Sequence, residues 1–199
     1  IPKYLLKKLP RSLDIIGDIA IIEIPRELKI YGKLLGEAIL ELHKNIKTVF
    51  SKSSPIKGPY RLRSFDFLSG EDRTYTTHLE YGCKYFLDIT KVYFSPRLSQ
   101  EHNRVASLSI KEELVIDLFA GVGPFSIPIA KKNPSAKIFS IDINPAAIEF
   151  LEKNIKLNRV DANVNPFLGD ATSLVNDRLS GKADRVIMNL PEKAKEYIK

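Results

Sequence analysis

The sequence predicts an α/β fold: a parallel sheet interleaved with helices over residues 95–199, preceded by a small α+β domain over residues 1–94. Three observations predict it. β-Branched runs alternate with helical segments through the second half. A glycine turn, Ala120-Gly121-Val122-Gly123-Pro124, separates the first strand of that half from its helix. Polar residues stand at four successive strand ends: Asp117, Asp142, Asp170 and Asn189.

The first half is read element by element. Asp14 to Ile24 is β-branched, kinked at Gly17-Asp18 and closed by Pro25, which predicts a strand or bent hairpin. From Lys33 to His43, Leu34, Leu35, Ala38, Ile39 and Leu42 recur at helical spacing. Thr48 to Lys52 is a short strand and Pro55 to Pro59 a loop; Arg61 and Arg63 then alternate along an expected strand. Thr74–Leu79 and Lys84–Phe94, joined by Tyr81-Gly82, predict a hairpin.

In the second half, Leu114–Leu118, Lys137–Ile143, Asn163–Leu168 and Arg185–Leu190 are the expected strands. Helices are expected at Phe125–Ala130 and Pro145–Leu157. Such alternation makes βαβ units. The boundary between the halves falls near Ser95-Pro96.

Composition narrows the class. The 199 residues carry a net charge of +7, and no run approaches the roughly 18–20 apolar residues of a membrane span. Cys83, the single cysteine, can form neither an internal disulfide nor a cysteine-based zinc site. His43, His78 and His102 are too scattered for a metal site. A soluble, cytoplasmic protein is expected, with no metal, no membrane and no obligate protein partner. The chain begins at Ile1 and ends at Lys199, just after an expected strand, which suggests part of a longer protein. Residues 1–94 hold 16 basic and 11 acidic side chains, against 15 and 13 in residues 95–199. That surplus fits a polyanion-facing surface, or ordinary lysine-rich solubility.

Gly121 and Gly123 permit backbone angles closed to other residues and a close approach of ligand to main chain. The third glycine of a dinucleotide fingerprint is absent, since Ser126 stands there, and this disfavours a dehydrogenase. Asp142 lies at the tip of the second strand, where a carboxylate can accept from both hydroxyls of a ribose. Asp170 can take an adenine amino proton, and Asn189-Leu190-Pro191 sits beside the reactive end of such a cofactor. Each aspartate has a plainer reading as a helix cap.

With Val92-Tyr93-Phe94-Ser95-Pro96-Arg97-Leu98, Asp117–Ser126, Ile141-Asp142-Ile143-Asn144-Pro145, Asn154–Asn158 and Asn189-Leu190-Pro191, the chain resembles the class I S-adenosylmethionine-dependent methyltransferases. More narrowly, it resembles the archaeal/eukaryotic tRNA (guanine-N1)-methyltransferase family acting at guanosine-37, close to the wybutosine-pathway transferases. The resemblance implies a Rossmann-like domain, S-adenosylmethionine as cofactor, S-adenosylhomocysteine as product and tRNA as partner. It implies cofactor contacts from Asp117, Phe119, Ala120, Gly121, Val122, Gly123, Asp142, Ile143, Asp170, Asn189 and Pro191. It further implies Glu101 as general base, Arg61 on the guanine O6, Asn189 at the base and Tyr93 lining the pocket. One departure is His102, which follows the glutamate where the family carries arginine.

That chemistry suits these residues. Guanine N1 holds a proton and is not nucleophilic until it leaves, so a base and a cation near O6 are both needed. Without the resemblance, a glutamate in the first turn of a helix is read as favourable with the helix dipole, Arg61 as a surface ion pair, and Tyr93 as core. Two alternatives stay open: a wybutosine-pathway reaction (methyl or aminocarboxypropyl transfer), and a cofactor- or RNA-binding fragment without turnover. Class I sheets usually have seven strands; four are legible here.

Overall fold

A computed structural model describes residues 1–174 and 181–190. The first unit is a four-stranded sheet of order β1-β2-β3-β4, with β1 at Asp14–Ile16, β2 at Ile19–Ile22, β3 at Thr48–Lys52 and β4 at Phe65–Gly70. The expected bent hairpin is present: β1 and β2 pair antiparallel around Gly17-Asp18, where Gly17 adopts φ +59°. A Cβ at Gly17 would lie 2.1 Å from Thr76 Oγ1, so only glycine lets this turn dock on the neighbouring hairpin. Helix α1, Gly32–Leu42, lies across β4 and β3. Gly36 is what allows the approach, since a Cβ there would come within 2.9 Å of Leu68 and Ser69.

Strand β4 has no counterpart in the sequence reading. Phe65, Phe67 and Leu68 are diluted by Asp66, Ser69 and Gly70, so period-two alternation is lost. Its register is set instead by β3, with Phe50 facing Phe67 across an irregularity at Val49/Phe50. The expected strand carrying Arg61 and Arg63 is corrected. Residues Lys57 and Leu62 bridge across a tight turn, and Arg61 within it has φ +55°.

β5, Tyr75–Glu80, and β6, Cys83–Asp88, form the expected hairpin, with Tyr81 and Gly82 both at positive φ as a two-residue turn of this hand requires. The second strand stops at Asp88 rather than Phe94. Asp88 Oδ1 accepts from the Thr90 backbone N–H at 2.9 Å and from its hydroxyl at 2.6 Å, turning the chain out of the ladder.

The second sheet is entirely parallel, of order β10-β7-β8-β9: β7 Leu114–Asp117, β8 Lys137–Asp142, β9 Val164–Leu168 and β10 Arg185–Ile187. Its last strand ends at Ile187, three residues short of the expected Leu190. The helices are α2 Ser99–Ser107, α3 Ser126–Lys132, α4 Pro145–Asn158 and the single turn α5 Ala171–Leu174. None of these helices is long and apolar enough to cross a membrane.

One apolar cluster runs from Ile16, Ile21 and Phe50 through Tyr85 and Leu87 to Val115, Ile127, Ile138 and Leu151, so both halves share a core. The hairpin is clamped onto α4. Asn154 accepts from Phe86 N–H at 2.7 Å and donates to its carbonyl at 3.1 Å, and Asn158 does the same for Lys84 at 2.9 and 2.6 Å. Two amides at helical spacing i, i+4 thus satisfy the free edge of β6.

Candidate cofactor and base-binding cleft

The parallel sheet has its switch point between β7 and β10: β8 and β9 build outward on one side of β7, β10 on the other. Ligands of open α/β sheets bind there, beyond the carboxyl ends of the strands. A cleft of about 410 Å³ opens at that position, inside the ~300–1,000 Å³ range of small-molecule sites.

The loop after β7 and the tip of β8 form its floor. Gly121 N–H donates to Asp142 Oδ2 at 2.7 Å, and Asn144 N–H to Oδ1 at 2.9 Å. The Ala120 N–H reaches the Ile141 carbonyl at 2.8 Å. Gly121 has φ +53°, and the nearest atom to a Cβ placed there is the Tyr93 carbonyl at 3.9 Å, so its face is open to the cleft. Burial raises the Asp142 pKa against the lowering by its backbone hydrogen bonds.

Of the residues singled out in the sequence, Arg61, Tyr93, Phe119, Ala120, Gly121, Asp142, Ile143, Asp170 and Asn189 all line this one cleft. The Arg61 guanidinium lies over the Tyr93 ring, 5.1 Å from its centroid. Asp170 is at the rim and also caps α5, its Oδ1 accepting from Thr172 N–H at 2.9 Å. The helix-cap reading and the cleft position hold together for this residue.

Other expected site residues stand elsewhere. Gly123 packs beneath the loop instead of facing the cleft: at φ +94°, a Cβ would lie 2.7 Å from Leu151 and 2.8 Å from Ile127. Val122 is fully buried, its carbonyl accepting from Asn154 at 3.1 Å. Asp117 is sealed below the floor, where its Oδ2 accepts from the Ser126 hydroxyl at 2.8 Å. Its Oδ1 is the one fully buried side-chain oxygen or nitrogen without a partner among the described residues. Burial pushes its pKa up to about 7. Glu101, in the first turn of α2, is outside the cleft lining and paired with Arg104 at 2.6 and 2.7 Å. That guanidinium holds its pKa below the ordinary carboxylate value. Pro191 lies outside the described residues.

The structure adds residues to the site. The loop Gly58-Pro59-Tyr60, Asn144 and His102 line the cleft as well. Asn144 caps α4 through Ala146 N–H at 3.0 Å and donates to the Lys91 carbonyl at 2.8 Å. Its signal was the Asn-Pro pair, an N-cap followed by proline at N1. The sequence marks Pro55–Pro59 as a loop but not as part of the site, since tertiary packing alone brings it to the cleft.

These groups fit an adenosyl cofactor: a carboxylate at the second strand tip to accept from a ribose, an open glycine backbone, and Asp170 at the third tip to accept from an adenine amino group. The fold and cleft are those of a Rossmann-like class I methyltransferase domain. Residues 76–199 match the family model described as the TRM5/TYW2 methyltransferase domain, and residues 1–74 the TYW2 N-terminal domain. The chain belongs to the TRM5/TYW2 methyltransferase family.

Its relatives are similar over nearly the whole chain. The tRNA (guanine(37)-N(1))-methyltransferase Trm5b of Pyrococcus abyssi is 52% identical over 198 residues, covering 100% of this chain and 58% of the relative. The crystal structure of that wild-type Trm5b superposes with a TM-score of 0.87 at 53% identity, over 99% of this chain and 57% of the other. The complex of aTrm5 with tRNALeu gives 0.86 at 42% identity, over 98% and 56%. P. horikoshii TYW2 in complex with MeSAdo gives 0.75 at 34%, over 95% and 66%. The chain therefore spans somewhat over half the length of the Trm5 relatives.

Proposed function

We propose that this chain is the catalytic part of a tRNA methyltransferase that methylates N1 of guanosine-37, using S-adenosylmethionine and releasing S-adenosylhomocysteine. The observation that carries the reading is the shared cleft: Arg61 and Tyr93 face Gly121, Asp142, Asp170 and Asn189 across one cavity. A cation suited to a base oxygen and a carboxylate suited to a cofactor ribose thus border the same space. The relatives' names, and the tRNA complex among them, support tRNA as the partner. When bound, the cofactor supplies a methyl group already activated by its sulfonium.

The chain's own residues do the rest. Asp142 accepts from the ribose hydroxyls with the lone pairs its two backbone donors leave free, Asp170 takes the adenine amino group, and the backbone at Ala120–Gly121 receives the methionine moiety. Phe119 and Ile143 wall the adenosine. Arg61 stabilises charge spreading onto O6, stiffened by Tyr93 beneath it, and Asn189 contacts the base. Glu101 is the proposed base; it must turn from Arg104 toward the cleft as the guanine enters. Extruding that base from its stack costs a few kcal/mol. Residues 1–94, with their basic surplus, form the tRNA-facing part of this proposal; within them the hairpin β5–β6 packs on α4 of the methyltransferase sheet. A cytoplasmic location is part of the same proposal.

Incubation with S-adenosylmethionine and tRNA transcripts bearing guanosine or inosine at position 37, followed by nucleoside mass analysis, tests the reading. Methyl incorporation on both is expected, since inosine retains N1 and O6. A second reading rests on the match of residues 1–74 to the TYW2 N-terminal model. An aminocarboxypropyl adduct, or methylation confined to a tricyclic guanosine derivative, would support that reading instead.

A further inference from the structure

The side chains of His78, Glu80 and His102 form a chain behind the cleft. Glu80, on β5, is almost wholly buried; its Oε1 lies 3.2 Å from His78 Nε2 and its Oε2 2.8 Å from His102 Nδ1. Burial raises the Glu80 pKa, but the two imidazole hydrogen bonds outweigh it and hold the group ionised. An ionised carboxylate only accepts, so each imidazole must donate to it. His78 has a second constraint: Gly17 N–H donates to its Nδ1 at 2.9 Å, which leaves the proton on Nε2. His102 likewise donates from Nδ1, so in the singly protonated ring its Nε2 is a lone pair.

His102 is buried yet lines the cleft, its ring edge-on to Phe125 at 4.7 Å. Among the described residues no hydrogen bond to its Nε2 is found, and with Nδ1 committed to Glu80, Nε2 is the nitrogen available to a group entering the cleft. A buried carboxylate behind an imidazole, with the far nitrogen facing substrate, is the arrangement that makes a histidine a proton acceptor.

We propose that His102 is a second proton acceptor of this cleft, its tautomer and its imidazolium form both set by Glu80. The inference rests on the proposed guanine-N1 reading. In the step, the N1–H bond breaks, the Nε2–H bond forms, and the electron pair stays on N1 and spreads to O6 beside Arg61. The positive charge gained by His102 meets the Glu80 carboxylate. His102 then works in parallel with Glu101, which in this structure is turned to Arg104.

Two measurements test it. Long-range 1H–15N spectra of histidine-labelled chain are expected to show His102 protonated on Nδ1 and His78 on Nε2. A proton on His102 Nε2 overturns the inference by itself. In single-turnover assays on the transcript with guanosine-37, using the protein at its relatives' full length, E101Q is expected to retain measurable methyl transfer. Adding H102Q, or H102N should the glutamine variant fold poorly, lowers it about 10²-fold further, with S-adenosylhomocysteine affinity unchanged. Equal rates for E101Q and the double variant overturn the inference. A wild type that forms no N1-methylguanosine overturns the reading beneath it, a result separate from the tautomer assignment.

Discussion

Gly121 N–H points at Asp142 Oδ2 from 2.7 Å, which ties the glycine loop after β7 to the tip of β8. One carboxylate therefore shapes the loop and faces the cleft, and its replacement removes both functions. D142A is expected to weaken S-adenosylhomocysteine binding about 10- to 100-fold, the value of one or two charge-assisted hydrogen bonds. Calorimetry reads this directly. Unchanged affinity would separate Asp142 from the cofactor.

The two loop glycines do different work, so alanine at each has a different readout. At Gly123 the new methyl meets Leu151 and Ile127 at a backbone angle that disfavours it, and G123A is expected to destabilise the fold by about 1–3 kcal/mol in urea denaturation. G121A meets no neighbour closer than 3.9 Å, so its cost is the left-handed backbone and the lost open face. It should weaken cofactor binding more than its stability loss explains.

Asp117 gives a pH signature. Its folded pKa of about 7 stands above the ordinary carboxylate value, so between about pH 4 and 7 the folded state holds a proton that the unfolded state has lost. Stability contributed by this group is present at low pH, falls as pH rises through that window and levels off above it, a change on the order of 4 kcal/mol. Asp142 is shifted in the same direction and adds to the slope. D117N is thus expected to flatten the stability profile in part, and to compare more favourably with wild type at pH 8 than at pH 5. Parallel profiles for the two proteins contradict it.

Asn154 is wholly buried and bonded to Phe86 N–H, the Phe86 carbonyl and the Val122 carbonyl. N154A strands those backbone groups and should cost about 2–4 kcal/mol. Because Val122 sits in the glycine loop after β7, hydrogen exchange in N154A is expected to rise at both β6 and residues 120–123. Exchange confined to β6 would show that the clamp does not reach the loop.

The parallel sheet was legible because short apolar runs with glycine or proline near their ends alternate with helical segments, and α4 opens on the local cap signal Asn144-Pro145. The glycine loop and the acidic strand tips were legible for the same reason: spacing along the chain fixes them. What lay beyond reach depends on distant partners. β4 takes its register from β3, Arg61 its left-handed turn from the Lys57–Leu62 bridge, and Gly123 its need for glycine from α3 and α4. His102 stood out only as a departure from the family pattern. Its meaning comes from Glu80, 22 residues earlier on another element.

We place an adenosyl cofactor across the tips of β7, β8 and β9. A crystal of this chain soaked with S-adenosylhomocysteine is the decisive experiment. Ribose hydroxyls are expected within hydrogen-bonding distance of Asp142, and the adenine beside Asp170. Ligand density elsewhere, or the cleft filled by Phe119 and Tyr93 with Asp142 still bound only to Gly121 and Asn144, would contradict that placement.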